Sequence, residues 1–234
     1  MKVVVLTGAG ISAESGIRTF RDSNGLWEGH SVDQVATRIG FGRDPGLVNR
    51  FYNQRRQQLG VVQPNAAHRA LGELENALAD DFLLITQNVD DLHERAGSVR
   101  LIHMHGELLN KRCIWCSFVS PCAGDISPED VCGKCSREMG MRPDVVWFGE
   151  TPYGLDRIQA AVTECDLFVA IGTSGLVEPA SRLATKAKVY GARLVEINAA
   201  DTARSAEFDE CLRGPASQVV PQWVDGVLGG LRSS

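Results

Sequence analysis

Four of the seven cysteines fall into two pairs, Cys113-x2-Cys116 and Cys132-x2-Cys135, with 15 residues between the pairs. Two residues between cysteines let both thiolates reach one ion from a tight turn, and two such turns complete a tetrahedron. The spacing is that of a ribbon-type zinc site. Four thiolates leave no open position on the metal, so the one zinc expected at Cys113, Cys116, Cys132 and Cys135 is structural rather than catalytic. The competing reading, four unrelated buried thiols, does not account for the paired spacing. Cys165 and Cys211 lie in apolar, helix-like surroundings and read as inert core residues, and Cys122 has no assigned role.

A second group of residues suits a nucleotide. Gly8-x-Gly10-x-x-Ala13 follows an apolar run and precedes a segment that can open a helix. Glycines at those places let backbone approach a pyrophosphate, and a helix N-terminus supplies N–H donors. The same residues also suit an ordinary strand-to-helix turn. No second strand ending in an acid comes about 20 residues later, as the simple dinucleotide fingerprint would have it. Ile171-Gly172-Thr173-Ser174-Gly175 and Glu196-Ile197-Asn198 end two further apolar runs with small or amide residues. Ligands of open parallel sheets lie beyond such carboxyl ends. Among the histidines, His30 and His68 read as structural or solvent-facing, and His93 has no partner at metal-ligand spacing. His103 and His105 are two apart, so on an extended segment they would share a side.

The elements that must position these residues are legible as buried strands at Lys2–Thr7, Phe82–Thr86, Leu101–His103, Asp144–Phe148, Leu167–Ile171 and Arg193–Ile197. Helices are expected after Ile11, from Asp44-Pro45 onwards, from Asn65 to Ala79, and at 155–164 and 179–190. Strands alternating with helices predict an α/β fold with a parallel sheet covered on both faces. Residues 113–135 lose apolar periodicity and gain Cys, Gly and Pro. The 234 residues are 44% hydrophobic and 23% charged, ordinary for a soluble globular chain with one main core and a smaller module. The formal charge of -5, without a Lys/Arg cluster, argues against direct nucleic-acid binding. The N-terminal apolar run is too short for a signal peptide, and no stretch is long enough to span a bilayer. A cytoplasmic protein without membrane contact is expected.

Three longer segments are more specific. Gly8-Ala9-Gly10-Ile11-Ser12-Ala13-Glu14-Ser15-Gly16-Ile17, Thr86-Gln87-Asn88-Val89-Asp90-Asp91-Leu92-His93 and His105-Gly106-Glu107-Leu108 resemble, in order, motifs of the sirtuin family. The two Cys pairs, Val146-Trp147-Phe148-Gly149-Glu150, Gly172-Thr173-Ser174 and Ile197-Asn198 then come in the family's order. The resemblance runs from residue 3 to about 221 and is strongest to the short bacterial members.

The resemblance implies a Rossmann-like NAD-binding large domain from residues 1–30, 68–108 and 146–234. It implies a small domain combining a helical insertion, 31–67, with the zinc module, 109–145. It makes His105 the general base, selected over His103 by the adjoining Gly106-Glu107-Leu108. Gly8, Ala9, Gly10 and Ala13 would line the NAD pyrophosphate, with Phe20 and Arg21 in a loop that closes over it. Gln87, Asn88 and Asp90 would contact ribose and carboxamide. Ser174 and Asn198 would hold the adenosine half, Ala216 would lie near the adenine, and Gly172 and Thr173 would also contact the cofactor. Trp147, Phe148, Gly149 and Glu150 on one side, and Gly175 to Val177 on the other, would flank an extended acyl-lysine peptide.

After Gly16-Ile17 many members carry proline and aspartate, whereas this chain has Arg18 and Thr19. That change resembles the class III branch, whose members remove acidic acyl groups. The same branch has a tyrosine and an arginine three apart on a small-domain helix, as Tyr52 and Arg55 are here. A phenol and an arginine fork suit a terminal carboxylate. Taken alone, Arg55 reads as a solvated helix residue; the resemblance reverses that reading and leaves Arg56 to point elsewhere.

The expected activity is NAD-dependent removal of acetyl, succinyl or malonyl groups from protein lysine, releasing nicotinamide and O-acyl-ADP-ribose. Two alternatives stay open on the sequence. One is a mono-ADP-ribosyltransferase using the same cofactor site, and the other a non-catalytic NAD-binding or zinc-dependent interaction module.

Overall fold

The computed structural model describes residues 1–18, 26–27 and 29–232. Six strands pair in parallel in the order Glu210–Arg213, Arg193–Asn198, Leu167–Ile171, Val3–Thr7, Phe82–Thr86, Leu101–His103. Read along the chain, this is the doubly wound order of a Rossmann-like sheet, with its switch point between Val3–Thr7 and Leu167–Ile171. Val3–Thr7 is buried along its whole length because it lies mid-sheet with helices on both faces.

Alternate residues of each strand serve opposite faces. Val4, Leu6, Ile85, Phe168 and Leu194 pack under the helices Leu155–Glu164 and Ser181–Val189. Val3, Val5, Leu84, Val169 and Val195 pack under Ala66–Leu78 and Ala216–Arg232. Asn65 caps Ala66–Leu78 through its side chain, which accepts from the Ala67 N–H at 2.9 Å.

A second layer of structure rides on one end of this sheet. Gly106–Cys113 pairs antiparallel with both Val119–Pro121 and Met141–Val145. Beside it lie three helices, Val32–Val35, Arg38–Arg43 and Pro45–Leu59. The third begins as the sequence predicts, with Pro45 at the first position and the Asp44 carboxylate accepting from the Leu47 N–H at 2.8 Å. Asn49, Asn53 and Arg56 of that helix hold the strand layer, donating to the carbonyls of Met141, Ile126 and Leu108 at 3.2, 3.0 and 2.6 Å. Arg56 therefore points into the protein as a backbone clamp. Among the described residues no helix is long and apolar enough to cross a membrane.

Several elements differ from expectation. The expected strand Asp144–Phe148 is Met141–Val145, because its partner runs only from Gly106, opposite Val145, to Cys113, opposite Met141. In place of a full helix after Ile11, the chain forms a short 3-10 turn at Ala13–Ser15, preceded by another at Ala9–Ile11. Edge strand Glu210–Arg213 was not anticipated; it is half-exposed and carries no apolar run. Cys211 lies on that strand and is exposed, so it is not the core thiol its neighbours suggest.

Candidate functional site

The two loops at the switch point touch. Gly8 N–H donates to the Ile171 carbonyl at 3.0 Å and Gly10 N–H to the Gly172 carbonyl at 2.8 Å. A Cβ on Gly10 would stand 2.7 Å from the Gly172 Cα, and one on Gly8 2.8 Å from the Gly172 oxygen. Both distances are shorter than any real Cβ contact. The glycines are thus required here by loop-against-loop packing, apart from any ligand. Gln87 Nε2 donates to Thr173 Oγ1, and Asn198 Nδ2 to the Thr173 carbonyl, each at 2.9 Å. These bonds tie three strand ends into one rim.

A cavity of about 500 Å³ opens at that rim and runs to the helical layer. This is within the usual range for a small-molecule site. Gly8, Ala9, Gly10 and Ala13 line one end with Gly172, Thr173, Ser174 and Asn198. Gln87, Asn88, Asp90 and His105 form the middle, and Tyr52 and Arg55 the far end. Trp147, Phe148, Gly149, Glu150 and Val177 also border it. Ala216 is not on the wall; it opens the last helix and packs toward the sheet. Phe20 and Arg21 lie outside the described residues.

Beneath the cavity a hydrogen-bond hub joins the motif residues Ser12, Asn88 and Asp90 to His68, which lies outside every motif. Ser12 Oγ donates to Asp90 Oδ2 and accepts from Asn88 Nδ2, both at 3.1 Å. His68 Nε2 lies 3.4 Å from the same hydroxyl, while its Nδ1 faces the Asn65 N–H at 3.3 Å. Nδ1 must accept there, so the network assigns the proton to Nε2 and a neutral ring. His93 sits behind it, ring centres 4.8 Å apart, with Nε2 on Thr7 Oγ1 at 3.0 Å. Burial lowers the pKa of His68 to about 4, with Arg69 adding, and holds His93 well below the ordinary value. Burial raises that of Asp90 against the N–H of Leu92 and the Ser12 hydroxyl, which favour the carboxylate. A signal for this hub was present in the Asn65-x-x-His68 spacing, in which Asn65 caps the helix and His68 reaches back to it.

The two neighbouring histidines have opposite surroundings. Strand Leu101–His103 ends at His103 and the chain turns at Met104 and His105, so strand alternation does not relate the pair. His103 engages both ring nitrogens, Nδ1 with the Asn88 carbonyl at 3.0 Å and Nε2 with Glu94 Oε1 at 2.6 Å. Burial alone would lower its pKa, but the hydrogen bond and charge of Glu94 outweigh burial and raise it. His105 places Nδ1 on the Gln87 carbonyl at 3.1 Å. An Nδ1–H donated there leaves Nε2 to take a proton. Burial lowers the His105 pKa, partly offset by that carbonyl. A neutral imidazole at the cavity wall can act as a base near pH 7, and a doubly engaged imidazolium cannot.

At the far end Tyr52 and Arg55 are buried one helical turn apart, 0% and 7% exposed, which excludes the solvated reading of Arg55. Burial pushes the Tyr52 phenol up to about 12, against its bond from Trp147. On the border, Phe148 is exposed and its N–H donates to the Ala36 carbonyl at 3.0 Å. The Glu150 carboxylate accepts from Arg38, Arg142 and the Trp147 N–H at 2.7, 2.8 and 3.0 Å. Burial would raise Glu150, but the two guanidinium groups hold it below the ordinary range.

The four paired cysteines meet in the strand layer. Cys113 and Cys135 Sγ are 3.7 Å apart, Cys116 and Cys132 Sγ 3.6 Å, and all four lie within 4.8 Å of one another. Thiolates on a tetrahedron of Zn–S bonds near 2.3 Å stand about 3.8 Å apart, so the donor set fits one zinc. Trp115 and Lys134 N–H each reach the sulfur two residues back at 3.4 Å, which would orient the lone pairs of Cys113 and Cys132.

Comparison with known proteins agrees with this geometry. A family model described as the Sir2 family matches residues 8–179. An NAD-dependent protein deacylase of Salmonella typhimurium (strain LT2) is 57% identical over 232 residues, 98% of this chain and 85% of the relative. One of Escherichia coli (strain K12) is 56% identical over 234 residues, 99% and 84% of the two chains. A Sir2 homologue solved with NAD superposes with TM-score 0.90 at 41% identity, covering 98% of this chain and 90% of the other. A Sir2 protein bound to an acetylated peptide superposes with TM-score 0.82 at 27% identity, covering 98% and 94%.

Proposed function

The chain belongs to the Sir2 family, and from that premise we propose that it removes acyl groups from lysine side chains of proteins at the expense of NAD. Deacylation of protein lysine is supported by the relatives' names and by the acetylated peptide on a structural neighbour. NAD is the cofactor, and the four-cysteine cluster holds one structural zinc. The observation that carries the catalytic reading is His105. It lines the cavity beside Gln87, Asn88 and Asp90, its Nδ1 fixed on a backbone carbonyl and its pKa lowered by burial.

Bound NAD would supply an electrophilic ribose carbon for the acyl oxygen, with nicotinamide as its leaving group. The rim of Gly8, Ala9, Gly10, Ala13, Gly172, Thr173, Ser174 and Asn198 would hold the phosphates and adenosine, mostly through backbone and small side chains. Gln87, Asn88 and Asp90, fixed by Ser12 and Thr173, would orient ribose and carboxamide. His105 Nε2 would accept the proton of the ribose hydroxyl that goes on to take the acyl group as lysine is freed. The peptide would run between Trp147–Glu150 and Gly175–Val177, where Phe148 and Leu176 are exposed apolar groups. Residues 1–30, 68–108 and 146–234 are assigned to the NAD-binding large domain, and 31–67 with 109–145 to the small domain. Seven cysteines free of disulfides suit the reducing cytoplasm.

Tyr52 and Arg55 extend the reading to acidic acyl groups. A buried guanidinium one helical turn from a buried phenol on the cavity wall suits a succinyl or malonyl carboxylate. The test is a panel of acetyl-, malonyl-, succinyl- and glutaryl-lysine peptides incubated with NAD and read by mass spectrometry. Loss of the acyl mass with O-acyl-ADP-ribose formed supports the proposal. Gain of ADP-ribose on the peptide would identify a transferase instead, and NAD left unconsumed a binding module.

A further inference from the structure

Trp147 borders the cavity, yet its side chain is 2% exposed and turned into the helical layer. Its indole Nε1 lies 3.1 Å from the Tyr52 hydroxyl oxygen, both groups buried. An indole N–H can only donate, so the phenol oxygen must accept in this contact. One acceptor site on Tyr52 is thereby occupied, and the phenol oxygen is held in place from the side of the indole. The indole is itself gripped. The Arg142 guanidinium lies 3.8 Å over its ring centre, and Phe41 packs at 5.4 Å. Arg142 is 3% exposed and bound to Glu150, which also takes the Trp147 N–H and Arg38. Arg142 Nη1 is buried without a hydrogen-bond partner among the described residues. Fold stability alone gives little reason to bury an incompletely paired guanidinium here; fixing the plane of one indole does.

We propose that Trp147 is a positioning residue for acyl-chain selection, holding the Tyr52 hydroxyl in place at the acyl end of the cavity. The inference rests on the reading that Tyr52 and Arg55 face an acidic acyl group. A carboxylate only accepts and a phenol can donate to it, so a hydroxyl held in place favours an acidic chain, whereas an acetyl methyl gains nothing from it. Arg142 and Glu150 act one step further out, by holding the indole.

The test is a double-mutant cycle of Trp147→Phe and Tyr52→Phe, read as KM and kcat on succinyl-lysine and acetyl-lysine peptides. Zinc content checks the fold. Trp147→Phe should lower kcat/KM for succinyl-lysine relative to acetyl-lysine by about two- to tenfold, the worth of one oriented hydrogen bond, mainly through KM. In the Tyr52→Phe background it should change that ratio no further. An unchanged ratio, or an equal effect with and without the Tyr52 hydroxyl, would overturn the proposal while leaving the acidic-acyl reading in place. If Tyr52→Phe and Arg55→Met both leave the ratio unchanged, the acidic-acyl reading falls and this inference with it. Should Trp147→Phe fail to fold, the indole N–H proton resonance of Trp147 decides in the Tyr52→Phe variant. It should move as its acceptor is lost, and a resonance that stays in place refutes the contact's role.

Discussion

Acidification should lower the stability of the fold through the buried pair His68 and His93 beneath the cofactor cavity. His68 is fully buried, with Nδ1 facing the Asn65 N–H and Nε2 facing Ser12 Oγ. Protonation would set an Nδ1–H against an N–H, so burial and geometry agree on a pKa depressed to about 4. The unfolded chain would titrate this histidine near its ordinary value of about 6.5. A histidine depressed on folding adds stability above its unfolded pKa and loses it as pH falls toward the folded value. For His68 the loss is about 2 kcal/mol between pH 7 and pH 5 and about 3 kcal/mol by pH 4. His93, held lower still, acts in the same direction. His103 acts oppositely: its raised pKa contributes fully in acid and is lost as pH rises. The comparison must therefore isolate His68. His68→Gln keeps a donor toward Ser12 and cannot titrate. Urea unfolding of both proteins, at intervals between pH 7 and 5, should show the stability difference shrinking by about 2 kcal/mol. Only below about pH 5, where the native ring itself begins to protonate, should the NAD affinity of the unsubstituted protein weaken, because Ser12 carries Asn88 and Asp90. A stability difference that stays constant across the range would refute the account of the buried ring.

His105→Ala should lower deacylation by about 10²–10⁴-fold with zinc retained, measured on the peptide panel. In the unsubstituted enzyme, kcat/KM should fall as pH drops through a pKa below 6.5, since the base works in its neutral form. Arg55→Met should reduce succinyl-lysine turnover by roughly ten- to a hundredfold more than acetyl-lysine turnover, mostly in KM; equal losses would make Arg55 structural. Gly10→Ala should abolish NAD binding by calorimetry and lower the melting temperature, because its Cβ would stand 2.7 Å from the Gly172 backbone. Cys113→Ala should yield protein without zinc by metal analysis and without activity, since this ligand set and its local fold form together.

The sequence was most informative where one residue type answers one physical demand. Paired cysteines, Pro45 after Asp44, and β-branched runs ended by glycine each have few structural solutions, and those strands and the zinc cluster lie close to where they were expected. The demands it hid are set by partners distant in sequence. Glu210–Arg213 is a strand because Arg193–Asn198 offers it an edge, while its own residues are half-exposed and polar enough to pass for loop. Met141–Val145 ends where the opposite strand begins, at Gly106, which no local pattern of its own records.

The histidines make the same distinction within the site. His103 and His105 share one short segment, and only the Gly106-Glu107-Leu108 next to His105 sets it apart, so a resemblance was needed to choose between them. In the fold the choice rests on hydrogen-bond valence. Glu94 and the Asn88 carbonyl claim both nitrogens of His103, which keeps its proton, whereas a single carbonyl orients His105. The carboxylate that fixes His103 comes from a short helix nine residues upstream, beyond any spacing rule for a strand. Glu94→Gln is the corresponding perturbation. It should bring the His103 pKa down toward that of an ordinary buried imidazole, observable by NMR titration of the ring protons. His105 is tied to a different carbonyl, so its own titration should move little. A large shift at His105, with His103 unchanged, would mean that the two rings have been assigned the wrong way round.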